Sequence, residues 1–280
     1  MAIGDLIRTR RKQLGMTQEE LAQAVFVTPQ AVSQWENGKT APDIFNLGAI
    51  AEVLKTSKAE LVSELGAQRP PWVVRDSFFA VENMRRKLKT LAVQDGLEQT
   101  DRAIDYAFEA HAGQLRKPSV FSDVQVPYIF HPYVMACHAH ALGIRDDAVL
   151  ATALLHDVCE DCGVASDDLP FSDDVHEAVE LLSKPADKTG FSQEAYYEGI
   201  AGNPTAAIVK AIDRCNNVSN MMASFTIEKV VEYVDETEAY VLPLLDTIKH
   251  AYPEYHDACF VIKYQIYSTI ESVKAAVMRL

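Results

Sequence analysis

The chain is expected to be all-α and built in two parts, on three observations. Apolar residues recur at three-and-four spacing along most of its length, and "SVFSDVQVPYIF" is the one plausible extended stretch. "GAQRPPWVV", with Gly66, Pro70 and Pro71, interrupts the helical pattern about a quarter of the way along. The charge also divides there. Residues 1–68 hold seven Lys/Arg against eight Asp/Glu, whereas the rest holds 19 against 32, so the formal net charge of −14 belongs almost wholly to the second part. The expected division is a first domain over 1–68, a linker and connecting helix over 69–99, and a second domain over 100–280.

With 280 residues, the chain is long enough to bury a sizeable core in each part. Apolar residues at 48% and charged residues at 24% suit a soluble globular protein. No apolar run approaches the ~20 residues of a membrane span, and "MAIGDLIRTRRKQ" lacks the apolar stretch and cleavage site of a signal peptide. The five cysteines show no regular framework, which points to reduced thiols and a cytoplasmic location. "CEDC" has CxxC spacing but no second pair at a zinc-site interval, and reads as two incidental cysteines at a helix end. The net charge argues against non-specific coating of nucleic acid.

About five short helices are expected in the first part. Thr17 and Glu20 form a capping box that opens one of them. Thr28 is a good N-cap for the next, with Pro29 at its first position. Asn37 and Gly38 in "ENGK" suit the left-handed geometry that ends it, and Ala22, Val32 and Trp35 supply a small core. The pattern over residues 3–63 resembles the helix-turn-helix of Cro-type phage repressors and their bacterial relatives. That resemblance implies double-stranded DNA as a partner, with the second helix of the motif in the major groove. By position, Gln30, Ser33 and Gln34 would touch base edges, Gln18 would contact phosphate, and Arg10 or Arg11 would add charge. Phe26 stands at the turn position that glycine often holds, so either the turn is distorted or Phe26 packs outward. A homodimer is expected, since one small helix-turn-helix reads few base pairs.

In the second part, "SFFAVENMRRKLKTLAVQ" reads as the connecting helix and Thr100 as the cap of a helix starting at Asp101. Further helices are expected through "HPYVMACHAHALG", "DDAVLATALLHDV", "DDVHEAVELLS", "NPTAAIVKAIDRCNNV" and two long C-terminal segments. "LLHDVCED" places His156 and Asp157 against an apolar run, and leaving either buried and unpaired would cost several kcal/mol. A divalent cation resolves that conflict by accepting an imidazole nitrogen and a carboxylate oxygen together. His131, at a helix start before Pro132, and Asp213, after apolar Ile212, are the candidates for further ligands.

The order His131, His156–Asp157, Asp213 is that of the HD phosphohydrolase superfamily. "HAGQLRK", "PYIFHP", "ALLHDVCED" and "KAIDRCNN" narrow the resemblance, over residues 101–225, to the hydrolase domain of the RelA/SpoT family and its stand-alone small alarmone hydrolases. The resemblance continues weakly into "YVDETEAYVLPLL". It implies His131, His156, Asp157 and Asp213 as ligands of one Mn²⁺ ion, and Glu160 and Asp161 as the acidic pair that prepares the attacking water. It implies Arg116 and Lys117 as the basic pair that meets the nucleotide, with Asn217 near the base and ribose and Lys184 as a looser match. The implied substrate is a guanosine alarmone, (p)ppGpp, hydrolysed to GDP or GTP and pyrophosphate. Arg116, Lys117, Lys184 and Arg214 are the cations expected to offset the acidic surroundings.

Departures from the family pattern are the longer segment between Lys117 and Pro127, Asn216 for a usual histidine, and Cys159 for a usual apolar residue. His111 is expected to support the site by hydrogen bonding. His138 and His140 are read as packing or edge residues, His176, His250 and His256 as surface residues, and Tyr196–Tyr197 as core in preference to lining the pocket.

The combination points to an alarmone hydrolase fused to a DNA-binding regulator, in the manner of an antitoxin opposing a partner alarmone synthetase. Two alternatives come from other classes. One is a transcription regulator whose second domain senses nucleotide without turnover; the other is an HD phosphohydrolase for another nucleotide, such as an adenosine alarmone, a nucleoside monophosphate or NADPH.

Overall fold

The computed structural model describes residues 3–40, 42, 44–57, 60–61, 79–117, 125–185 and 189–277. It is helical throughout, with one isolated bridge, between Leu115 and Pro127, and no strand among the described residues. The chain divides into two compact units, one over residues 1–75 and one over the described residues from 79 on. The "GAQRPPWVV" seam and most of the expected extended stretch lie outside the described residues.

The first unit contains α1 (Ile3–Gln13), α2 (Gln18–Ala24), α3 (Pro29–Glu36) and α4 (Ile44–Val53). The expected fifth helix falls largely outside the described residues, with only 60–61 helical at its start. The Thr17–Glu20 capping box forms in both directions, and the Thr28 hydroxyl accepts the N–H of Ala31 with Pro29 in the first turn. Ala22, Val32 and Trp35 are buried with Leu6, Ile7, Leu21, Val25 and Ile50. Gly4 lets α1 approach the end of α3, because a Cβ there would lie 2.1 Å from the Trp35 carbonyl oxygen. Phe26 keeps the left-handed turn (φ 56°) and turns its ring outward, 95% exposed. The turn is therefore undistorted, and the aromatic ring is left in solvent.

The second unit opens with α5 (Val81–Asp95), whose Met84, Leu88 and Ala92 are buried and which packs on α6 (Glu98–Ala110) and α7 (Phe130–Ala141). The segment expected to connect is thus built into the core of this unit. α6 starts at Glu98, three residues before its expected start at Asp101. Thr100 lies inside the first turn, and the Asp147 carboxylate accepts the N–H groups of Gln99 and Thr100 at 2.8 and 2.7 Å. The cap comes from another helix, which local spacing cannot reveal.

α8 (Asp147–Leu155) is buried from Val149 to Leu155 and lies against α6, α7 and α12 (Pro204–Ser224). A helix that is apolar all round belongs at the centre of a domain. It ends at His156, so the HD pair is delivered from the best-packed element. α9 (Val158–Cys162), α10 (Asp173–Leu182) and α11 (Gln193–Ala201) follow. Beyond α12 come α13 (Ile227–Glu236), a π-helical turn at Thr237–Val241, α14 (Leu242–Ala251) and α15 (His256–Val277). α15 packs on α12 and α14 and closes the core. No helix among the described residues is long and apolar enough to cross a membrane.

Candidate active site

Three helix ends and one helix interior meet around the HD pair. His131 comes from the first turn of α7, His156 and Asp157 from the junction of α8 and α9, and Asp213 from the middle of α12. His131 Nε2 lies 3.2 Å from Asp213 Oδ1, and His156 Nε2 lies 2.8 Å from Asp157 Oδ2 and 4.0 Å from Asp213 Oδ1. Ligand atoms of His131, His156 and Asp157 all fall within 4.8 Å of one another.

These residues fit a divalent cation. His156 Nδ1 donates to the Ala153 carbonyl at 3.0 Å, and Nε2 is buried without a hydrogen-bond partner among the described residues, 2.8 Å from a carboxylate oxygen of Asp157. An imidazole nitrogen and a carboxylate oxygen at that separation need a positive charge beside them. In the protein alone it is a proton: burial opposes the imidazolium, but Asp157 outweighs burial and raises His156 to about 9. A metal replaces that proton, and the mixed nitrogen and oxygen donors suit a borderline-hard ion. Asp157 and Asp213 are held below the ordinary carboxylate range. Burial opposes their charge, and His156 in the first case and Lys210 in the second outweigh it. Burial lowers His131 despite Asp213.

The four side chains form the floor of a cavity of about 290 Å³. Arg116, Lys117, Glu160, Lys184 and Asn217 line it as well, so all but one of the expected site residues of this unit are brought together. The exception is Asp161, which is exposed and stands beside the Tyr128 hydroxyl. Its main-chain oxygen accepts from Gln114 Nε2 at 3.2 Å. Glu160 is fixed by the backbone N–H of Lys184, which donates to it at 3.2 Å. Asn217 donates to Asp213 Oδ1 at 2.6 Å, so its amide faces the floor.

Arg214 differs from its expected place. It is 2% exposed, donates to Glu236 at 2.5 Å and to the Tyr197 hydroxyl at 3.2 Å, and stacks 3.8 Å from the Tyr233 ring centroid. It pins α12 to α13 and the π-turn rather than supplying charge to the cavity. The tyrosine pair also divides: Tyr197 is core, whereas Tyr196 lines the cavity. Among the remaining histidines, His138 bonds to Asn216 and His140 to Asp95. His176 is half-buried, with its ring against the Leu169 carbonyl, and His250 and His256 are exposed. His111 bonds to Gln114 and packs 4.7 Å from Tyr128.

Two residues central to the site were missed. Tyr128 donates to Asp157 Oδ2 at 2.6 Å, and Lys210 sits 3.1 Å from Asp213 Oδ2. The available signal for Lys210 was its position three residues before Asp213, which puts both on one face of α12. Tyr128 lies outside any helix, and its one signal is its place in "PYIFHP", three residues before His131.

In the first unit, Gln30 is exposed and Ser33 and Gln34 are half-buried on α3. Gln18, expected at phosphate, donates instead to Glu36 at 2.8 Å. Arg11 is buried in a two-pronged pair with Glu36 (2.6 and 3.0 Å), and Arg10 pairs with Glu60 at 3.3 Å. Arg11 is thus a structural cation rather than a DNA contact.

A helix-turn-helix family model matches residues 7–61. The transcriptional regulator DicA of Escherichia coli is 46% identical over 57 residues, 20% of this chain and 42% of that protein. A probable guanosine-3′,5′-bis(diphosphate) 3′-pyrophosphohydrolase of Synechocystis is 28% identical over 158 residues, 52% of this chain and 20% of that protein. The guanosine-3′,5′-bis(diphosphate) 3′-pyrophosphohydrolase MESH1 of Mus musculus is 32% identical over 124 residues, 42% of this chain and 67% of that protein. The chain thus spans under half of DicA, a fifth of the Synechocystis protein and two thirds of the mouse protein. A solved metazoan relative of SpoT superposes with a TM-score of 0.48 at 19% identity over 62% of this chain and 94% of that one, a likeness too loose to add to the fold described above.

The two units therefore define a metal-site helical domain of the HD kind joined to a helix-turn-helix. Through the former the chain belongs to the family of MESH1-type guanosine-3′,5′-bis(diphosphate) 3′-pyrophosphohydrolases.

Proposed function

We propose that the protein hydrolyses the 3′-diphosphate of (p)ppGpp-like alarmones and regulates transcription through its helix-turn-helix. One observation carries the reading: His131, His156, Asp157 and Asp213 converge on the floor of a cavity walled by Arg116, Lys117 and Lys184. Such a place takes a divalent ion together with a polyanion. We assign the ion as a single Mn²⁺ held by those four side chains. When bound, it supplies a lowered pKa for water and a positive charge beside the phosphate.

The chain's own residues do the rest. Glu160, held by the Lys184 N–H, receives a proton from the attacking water, with Asp161 beside Tyr128 as the second carboxylate of the pair. The water oxygen bonds to the phosphorus carried on the 3′ oxygen, the bond from that phosphorus to the 3′ oxygen breaks, the 3′ oxygen takes up a proton from solvent, and pyrophosphate and GDP or GTP are released. Arg116, half-buried at the wall, offers a planar guanidinium to the guanine, and Lys117 and Lys184 offer ammonium groups to phosphates. Asn217 orients toward the ribose while supporting Asp213.

For DNA, Gln30, Ser33 and Gln34 read base edges from α3. Gln18 reaches phosphate by exchanging its bond to Glu36. The limits proposed are 1–68 for this domain, 69–99 for the join and 100–280 for the hydrolase, with α5 of the join packed into the hydrolase core. Two copies on one operator, and an antitoxin role against a partner alarmone synthetase, complete the proposal.

The test is a substrate screen with Mn²⁺ that separates pyrophosphate from orthophosphate release. Guanosine 3′-diphosphates are expected to release pyrophosphate, and Asp157→Ala is expected to abolish this while the helical fold is kept. Binding of ppGpp without turnover would favour a nucleotide-sensing regulator. Release from other nucleotides alone would assign a different HD phosphohydrolase.

A further inference from the structure

Asp213 presents its two oxygens to different sets of partners. Oδ1 faces the imidazoles of His131 and His156 and accepts from Asn217, while Oδ2 lies 3.1 Å from the ammonium of Lys210. Lys210, Asp213 and Asn217 are spaced three and four residues apart on α12, so one helix face carries all three. With Oδ2 engaged by an ammonium, Asp213 is left a single oxygen for a metal and cannot bridge to a second one.

The Lys210 side chain is only 12% exposed, and it lines the cavity. An ammonium has three N–H donors. Asp213 takes one and the Tyr196 hydroxyl stands beside another, which leaves capacity directed at whatever fills the space. Lys184 approaches the same ring: its ammonium lies 5.3 Å and that of Lys210 5.8 Å from the Tyr196 centroid. The ring itself is fixed by its hydroxyl, which donates to the Leu182 carbonyl at 2.8 Å. Two cations held by one rigid aromatic ring beside a metal floor make a cradle for a compact dianion or trianion. A metal on Oδ1 would itself offset the charge of Asp213, so the Lys210 ammonium would then add positive charge to the cavity it lines.

We propose that Lys210 is an anion-binding residue of the site: a fixed positive charge that stands where a second metal ion would otherwise sit, and that with Lys184 holds the diphosphate group. This rests on the hydrolase reading above and names the part of the cavity that receives the diphosphate transferred to water. Two-metal phosphatases hold the reacting phosphoryl group with two ions; here one ion and one ammonium would divide the charge that holds it.

The test uses the full chain and two calorimetric titrations: Mn²⁺ alone, then pyrophosphate into Mn²⁺-loaded protein. In Lys210→Met, Mn²⁺ affinity is expected to be kept or increased, since a positive charge beside Asp213 is gone. Pyrophosphate affinity is expected to fall by about tenfold or more, the worth of a charge-assisted hydrogen bond. Lys210→Gln keeps a donor toward Asp213 and fills the space; it gives the same pattern if Lys210→Met fails to fold. Unchanged pyrophosphate affinity in the folded variant overturns the proposal. So does loss of Mn²⁺ affinity, which would make Lys210 merely a support for Asp213. If the wild type binds pyrophosphate in a Lys210-dependent way but hydrolyses no 3′-diphosphate, the hydrolase reading fails and the subsite stands.

Discussion

Tyr128 donates its hydroxyl at 2.6 Å to Oδ2 of Asp157, the same oxygen that stands 2.8 Å from His156 Nε2. A phenol on that oxygen fixes the carboxylate's rotation and leaves the other lone pairs for a metal. Burial against Asp157 also raises the Tyr128 hydroxyl far above its ordinary range, so it stays a donor at every working pH. Tyr128→Phe removes the bond and keeps the ring against His111. Mn²⁺ affinity is expected to fall by about 10- to 100-fold, the usual worth of a partner behind a ligand. Calorimetry with Mn²⁺ checks this, and an unchanged circular dichroism spectrum separates it from misfolding.

Phe26 pairs a left-handed backbone with a ring 95% in solvent. The conformation costs a non-glycine residue about 1–2 kcal/mol, and glycine's extra freedom in the unfolded chain returns part of that. Phe26→Gly is expected to stabilise the first unit by about 0.5–1 kcal/mol. Chemical denaturation followed by Trp35 fluorescence, with Trp72→Phe to remove the second tryptophan, reads it directly.

Glu36 gives the first unit its pH dependence. It is buried, which opposes its charge, but hydrogen bonds from Arg11 and Gln18 and the nearby guanidiniums outweigh burial and hold it below its ordinary value. A depressed carboxylate contributes stability that is complete above its unfolded value, about 4.3, and is lost as pH falls through the lower folded value. The first unit should therefore lose stability below about pH 4. Glu36→Gln should flatten that slope and, by leaving Arg11 without its charge partner, cost about 3 kcal/mol or more at pH 7. Trp35 fluorescence melts between pH 2 and 7 measure both.

Much of this was legible in the sequence, and the exceptions have physical causes. His156 and Asp157 beside "ATALL" stood out because paired polar groups next to an apolar run demand a partner. Helix starts at Thr17 and Thr28 were legible because a cap is a local bond. Where the partner is distant, local reading fails: Asp147 caps α6 from another helix, so Thr100 was misplaced. Charge alone misled for Arg214 and Arg11, since sequence does not tell a buried structural guanidinium from one facing a ligand. Lys210 was overlooked for the converse reason, as a lysine on a helix is ordinarily solvated.

The most direct measurement is an anomalous difference map from crystals grown or soaked with Mn²⁺. One peak is expected, coordinated by His131, His156, Asp157 and Asp213, with no second peak on the Lys210 side of Asp213. An empty site at saturating Mn²⁺, or a peak that leaves both imidazoles unligated, would contradict the metal centre and with it the hydrolase reading.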